Sequence, residues 1–284
     1  MALITEFDPW KNSLCTCPSK YSLSPYTGCG HGCLYCYASS YIPRFYSPRQ
    51  KKEFISRIKK ALKKMAPGSY LALSNSSDPY QALEKDLRLT RQFLKLAADH
   101  PLKIMLVTKS DLITRDIDIL KNLPQVVVSM TLTTLDHHLA KILEPGAPLP
   151  EQRLIAMERL SLYIPVACRI DPLIPGLNVS EIPVLIKELK KRGVKQIITS
   201  TYKAKGDNFI RMKKAFPDLA GKWDLLYKDQ GEKRSGSFYL FEDLRRKMIV
   251  KVKQCAEQEN LKFSSCRENF PDLNTAACDG SDLF

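Results

Sequence analysis

The stretch LKIMLVTKSDLITRDIDILKNLPQVVVSM, residues 102–130, places two nearly continuous apolar runs, 102–107 and 126–130, on either side of a shorter helix-spaced segment near 115–122. Runs of this kind, without polar alternation, read as strands buried on both faces. A strand, a crossover helix and a second buried strand make one unit of a parallel sheet. The same unit repeats outward in both directions. Upstream, Phe54, Ile58, Ala61 and Met65 recur at helical spacing before the apolar strand SYLAL at 69–73, and Leu83, Leu87, Leu94 and Ala97 mark the next helix. Downstream come a helix near 151–162, a strand near 164–170, a helix through Ile182, Leu185, Ile186 and Leu189, and the strand VKQIIT at 194–199. Gly193 is placed to end that last helix.

One more strand around Tyr21 to Tyr26 brings the count to six, too few for a closed eight-stranded barrel. The expected fold is therefore α/β, a partial (β/α)6 TIM-like barrel over residues 21–200. An N-terminal segment, 1–20, precedes it, and a helical or irregular extension, 201–284, follows. Within that extension Phe241, Leu244, Met248, Val252 and Cys255 fall on one helix face. Parallel sheets put ligand-binding groups at the carboxyl ends of their strands, so the chemistry belongs in the strand-end loops.

Those loops hold an unusual cysteine pattern. Five of the nine cysteines fall between Cys15 and Cys36, and two more, Cys266 and Cys278, sit near the C-terminus. The odd number and the clustering argue against a disulfide framework and for metal ligation. The segment SPYTGCGHGCLYCYA carries Cys29-x-x-x-Cys33-x-x-Cys36. Three thiolates on one tight loop ligate three irons of a 4Fe–4S cubane and leave the fourth open. That open iron is able to chelate S-adenosylmethionine and deliver one electron to its sulfonium. Zinc is the competing reading; it asks for four ligands, usually as two Cys-x-x-Cys pairs, with His31 the only nearby group to complete the shell. Cys15, Cys17, Cys266 and Cys278 number four, enough for a second 4Fe–4S cluster or a zinc site if the termini meet, and otherwise four unrelated thiols. Cys168 and Cys255 read as core residues.

The pattern resembles the radical S-adenosylmethionine superfamily, with Tyr35 at the aromatic position of Cys-x-x-x-Cys-x-aromatic-Cys and Tyr37 just beyond it. More narrowly it resembles the spore photoproduct lyase-related branch, through SSDPYQALE at 76–84, VTKS at 107–110, SMTLTTL at 129–135, LEPGAPLPEQRLIA at 143–156 and DPLIPGLN at 171–178. The resemblance implies that Tyr35 lies beside the adenine. It further implies that Ser74, Ser76, Ser77 and Asp78 receive the cofactor's amino group, that Lys109 reaches its carboxylate, and that Ser129 and Arg169 contact it. For Lys109 and Ser129 a strand-end cap or a surface charge is the alternative, and for Arg169 an ion pair with Asp171 or Glu144. One departure stands out. Where the lyase carries its hydrogen-donating cysteine this chain has Asn75, which argues for another substrate.

The formal charge of +14 points to an anionic partner. Eight cations lie between Arg49 and Lys64 beside Tyr41, Phe45 and Tyr46, and a second group comprises Lys203, Lys205, Arg211, Lys213 and Lys214. Cations with aromatics suit RNA or DNA. Solvated helix faces are the plainer alternative. A protein, peptide or small-metabolite substrate, or a non-catalytic metal-stabilised nucleic-acid-binding protein, also stays open, as does the choice between lyase and transferase. An electron donor of the ferredoxin or flavodoxin kind is implied. No apolar run approaches the ~20 residues of a membrane span and no secretory leader is visible, so the expectation is a cytoplasmic protein.

Overall fold

A computed structural model describes residues 3–7, 14–73 and 76–284. One sheet of eight strands organises it: β1 (Thr5–Glu6), β2 (Tyr21–Leu23), β3 (Tyr70–Leu73), β4 (Lys103–Thr108), β5 (Gln125–Thr131), β6 (Val166–Leu173), β7 (Gln196–Thr201) and β8 (Lys262–Ser265), in that spatial order. The strands from β2 to β8 are all parallel, and β1 alone runs antiparallel, against β2. All six strands read from the sequence are present. The sheet gains β8 from the 201–284 segment and the two-residue β1. Neither has an apolar run: β8 is KFSS, and it is held by pairing with β7 from Lys262↔Gln196 to Ser265↔Thr199.

The longer helices are α1 (Phe54–Leu62), α2 (Leu89–Ala97), α3 (His137–Leu143), α4 (Pro150–Ser161), α5 (Ile182–Lys191), α6 (Gly206–Ala215), α7 (Pro217–Asp224) and α8 (Glu242–Gln258). They bury the apolar positions that spacing picked out, among them Phe54, Ile58, Leu185, Ile186 and Leu189, against the outer face of the sheet. Two predicted helices are shorter than their periodicity suggested. The one through Leu83–Ala97 breaks at Arg88, whose φ of 51° is left-handed, and the one near 115–122 is a 3₁₀ stretch, Asp111–Asp116, followed by Ile117–Leu120. Gly193, at φ +78°, follows α5 as expected.

The inner face of the curved sheet is covered by the chain's own C-terminus. Leu283 and Phe284 pack on Ala72, Met105 and Val127, and Phe284 meets Tyr70 edge to face at 5.1 Å. Gln196 donates to the Ala277 carbonyl at 2.8 Å, and Tyr70 to Asp279 at 2.8 Å. Lys20, from the segment leading into β2, forms a buried ion pair with Asp279. The two ends of the chain therefore meet inside the barrel. Among the described residues no helix is long and apolar enough to cross a membrane.

Candidate functional site

The loop bearing Cys29, Cys33 and Cys36 is closed at its base by a short antiparallel pair, Tyr26–Thr27 with Arg49–Gln50. Its path is set by backbone and side-chain bonds from four directions. Cys29 N–H donates to the Phe45 carbonyl at 2.9 Å, and a Cβ on Gly28 (φ +80°) would stand 2.4 Å from that same oxygen. Only glycine fits there. Gln81, fully buried, receives the Gly30 N–H at 2.8 Å and donates to the Gly28 carbonyl at 3.1 Å. On the far side Asn208 donates to the Tyr35 carbonyl, and Arg211 to the Leu34 and Cys36 carbonyls. From below, Gly146 N–H donates to the His31 carbonyl at 2.9 Å, and a Cβ on Gly146 would lie 2.3 Å from the Gly30 oxygen.

His31 Nδ1 lies 3.0 Å from the Gly146 carbonyl, and Nε2 stands 3.1 Å from Asp78. These contacts tie the loop to its surroundings. Asp78 also accepts from Thr108 Oγ1 (2.7 Å) and from the backbone N–H groups of Lys109 and Tyr80 (2.8 Å each). Burial opposes ionisation of Asp78, yet His31 and these donors outweigh it and hold the carboxyl down at about 2.

The three thiols line a cavity of about 520 Å³ at the carboxyl ends of the strands. Burial is the main influence on each: it raises Cys29 to about 11 and lifts Cys33 and Cys36 as well. Thiols held protonated this way ionise when a metal takes them. Tyr35, Tyr37, Ser76, Ser77, Asp78, Lys109 and Arg169, the residues singled out by the resemblance, line the same space. Ser77 is buried, and its hydroxyl has no partner among the described residues, an unfilled polar position beside the thiols. Lys109 Nζ sits 5.7 Å from the Tyr35 ring. Burial works against its charge, but Cys33 and Glu144 more than compensate, so its pKa is raised.

Ser129 is placed differently. It is wholly buried in β5, paired between Val107 and Ala167, and it does not line the cavity, where Val107 and Thr131 stand instead. Ser74 and Asn75 lie outside the described residues. Arg169 bonds Asp171 at 3.1 Å, one of its two anticipated partners. Glu144 instead takes Arg153 at 2.5 Å, both side chains about 1% exposed, and accepts from Thr133 (2.8 Å) and from the Tyr35 hydroxyl. The Glu144–Arg153 pair, Gln81 and Asn208 were missed as site residues. The first three lie in segments whose order marked the loops, but nothing in their spacing announces a contact with the cysteine loop.

Cys15, Cys17, Cys266 and Cys278 line the same cavity as the motif cysteines, so the two termini do meet there. Among the described residues no three His, Cys, Asp or Glu groups are gathered to hold a single ion as the side chains stand. A cubane spreads its thiolates over several irons, so the motif thiols need not converge on one point.

The basic groups divide. Lys59, Lys60, Lys63 and Lys64 are exposed along and just beyond α1, and none of the eight cations from Arg49 to Lys64 lines the cavity. In the second group Lys203 is buried against Glu268, Arg211 clamps the cysteine loop and Lys213 pairs with Asp224. Phe45 is core beneath Cys29, whereas Tyr41 and Tyr46 are about 40% and 45% exposed.

Residues 23–200 match the family model of the radical SAM superfamily. Among curated proteins the chain is 32% identical over 166 residues to an uncharacterized protein of Methanocaldococcus jannaschii, covering 56% of this chain and 62% of that one. It is 28% identical over 202 residues to an uncharacterized protein of Acidianus two-tailed virus, covering 64% and 66%. The chain thus spans a little under two thirds of these relatives. Among solved structures it superposes on a mutant spore photoproduct lyase with bound AdoMet and dinucleoside spore photoproduct at TM-score 0.70, 13% identity, covering 86% of this chain and 75% of that one. Streptococcus suis SuiB bound to S-adenosylmethionine superposes at TM-score 0.57, 13% identity, covering 91% and 53%. At such identities the likeness is one of fold. With the family match spanning most of the sheet and the three-cysteine loop at its carboxyl edge, the chain belongs to the radical SAM superfamily, whose enzymes use a 4Fe–4S cluster and S-adenosylmethionine.

Proposed function

We propose that Cys29, Cys33 and Cys36 hold the 4Fe–4S cluster, that the adjoining cavity takes S-adenosylmethionine, and that the substrate is a nucleic acid. One observation carries the reading. The motif thiols and the strand-end groups Ser77, Lys109 and Arg169 line a single cavity, with the Ser77 hydroxyl unfilled. When bound, cluster and cofactor supply reductive cleavage to methionine and a 5′-deoxyadenosyl radical able to abstract hydrogen from carbon. The protein's share is orientation and exclusion of water. Lys109 offers a cation to a carboxylate, Ser76 and Ser77 offer hydroxyls, and Tyr35 and Tyr37 offer flat apolar faces. Asp78, already bonded on several sides, holds the loop in place.

For the substrate, Tyr41 lines the cavity with Lys205 Nζ 5.7 Å from its ring, and Arg169, Lys203 and Arg267 line it too. Aromatic surface beside cations suits a base and its phosphate. Reducing equivalents would come from a ferredoxin- or flavodoxin-type donor.

The test is anaerobic reconstitution with a chemical reductant. Wild type should release 5′-deoxyadenosine, and the Cys29→Ala/Cys33→Ala/Cys36→Ala variant none. Cleavage by that variant would sink the cluster assignment. Nucleosides from RNA and DNA of a deletion strain, compared with the parent by mass spectrometry, should lack one modified species. Identical nucleoside profiles, with a change in a peptide or metabolite instead, would overturn the nucleic-acid reading.

A further inference from the structure

Of the six cysteines outside the three-cysteine motif, four line the cavity, and Cys168 and Cys255 do not. Cys15 and Cys17 lie in the segment entering β2, Cys266 directly follows β8, and Cys278 sits in the C-terminal tail. In the sheet β2 and β8 are separated by five strands, so no strand pairing brings these residues together. They meet across the inside of the barrel because the tail folds back over its inner face, fastened by Lys20–Asp279 and Tyr70–Asp279. Cys17 Sγ stands 3.4 Å from Cys278 Sγ, 261 residues away in sequence, and Cys15 and Cys266, free thiols like the other two, line the same cavity.

We propose that Cys15, Cys17, Cys266 and Cys278 form a second, four-thiolate metal centre that joins the two ends of the chain inside the barrel. Its ligand is a thiophilic metal: an iron–sulfur cluster spreads its thiolates over several irons and suits the four sulfurs as they stand, whereas one zinc ion would have to draw them together, since as the side chains stand no three converge on a single point. Four cysteine sulfurs and no imidazole are the donor set both of these share. The surroundings suit an anionic centre. Lys20, Arg169 and Arg267 line the cavity together with these four thiols. Asp279 and Asp171 are the facing carboxylates, paired with Lys20 and Arg169 respectively. Full ligation by four thiolates leaves no open site, so this centre is closed, in contrast to the three-cysteine cluster. It would act as a staple: the tail that lines the floor of the cavity would be tied to the N-terminal segment beside it.

The proposal goes beyond the motif cluster, and its test reads metal rather than activity. Iron, acid-labile sulfide and zinc are measured on anaerobically purified protein. The Cys29→Ala/Cys33→Ala/Cys36→Ala variant should retain about four irons with matching sulfide, or about one zinc, per chain. Iron with sulfide identifies a cluster, and zinc the single ion. Further substitution of Cys17→Ser or Cys278→Ser in that background should remove the retained metal. This pair of single changes serves where the fourfold Cys15/Cys17/Cys266/Cys278 variant fails to fold. A triple variant free of iron and zinc would overturn the proposal. So would a Cys17–Cys278 disulfide in its place, or retained metal that is indifferent to both serine substitutions.

Discussion

Arg153→Met is the substitution that most directly tests how the site is supported. Glu144 is buried against Arg153 and also receives Thr133 and the Tyr35 hydroxyl, so it connects α4 to the cysteine loop. Burial pushes the Glu144 carboxyl upward. Arg153, then Lys109 and the two hydroxyls, outweigh it and hold it at about 2 against an ordinary 4.5. That gap corresponds to roughly 3 kcal/mol of stability at neutral pH. Removing one partner of a buried pair typically costs about 3–5 kcal/mol, because the charge left behind stays desolvated. Methionine fills similar volume, so packing loss is small. Anaerobic thermal melts followed by circular dichroism should show a fall of roughly 6–20 °C, at about 2–4 °C per kcal/mol. Glu144→Gln added to Arg153→Met should recover at least half of it, since the desolvated carboxylate is then gone and only Lys109 loses a neighbouring charge. The sign with pH is also determined. A depressed carboxyl stabilises the fold above its unfolded value and ceases to as pH drops through its folded one. The advantage of wild type over Glu144→Gln should therefore vanish between about pH 5 and pH 2. Equal losses in the single and double variants, or a single-variant loss under about 1 kcal/mol, would refute the reasoning.

Gly28→Ala puts a Cβ 2.4 Å from the Phe45 carbonyl at a φ of +80°, so the cysteine loop must shift. Iron bound after reconstitution should fall at least severalfold, and unchanged iron content would contradict the tight loop. Lys59→Ala/Lys60→Ala/Lys63→Ala/Lys64→Ala should weaken RNA or DNA binding and flatten its salt dependence by up to four phosphate contacts, leaving cleavage of S-adenosylmethionine intact, because none of the four lines the cavity. Binding isotherms across a salt series that match wild type would reduce these lysines to a solvated helix face.

Read by itself, the sequence determined the parallel sheet, the alternation with helices and the placement of chemistry at strand ends. Each of these is written in local periodicity: apolar runs such as 102–107 and 126–130 admit few conformations but a buried strand. It determined the cluster loop as well, because three thiols within eight residues are close whatever the rest of the chain does. That Tyr35, Ser77, Lys109 and Arg169 belong near those thiols was implied by the resemblance to the radical S-adenosylmethionine superfamily, whose motifs occur here in the same order.

Tertiary structure alone decided the rest. β8 could not be read because KFSS has no apolar run, and its place comes from an existing edge of the sheet offering backbone partners. Ser129 could not be excluded from the cavity by sequence, since its distance from the strand end depends on the depth at which β5 sits beside β4 and β6. Gln81, Asn208 and Arg211 look like ordinary polar residues and act through backbone groups 51 to 177 positions away. Cys15, Cys17, Cys266 and Cys278 were countable but not locatable. Whether thiols at opposite ends of a chain meet depends on how the tail fills the barrel, a packing outcome of the whole molecule that no local pattern encodes.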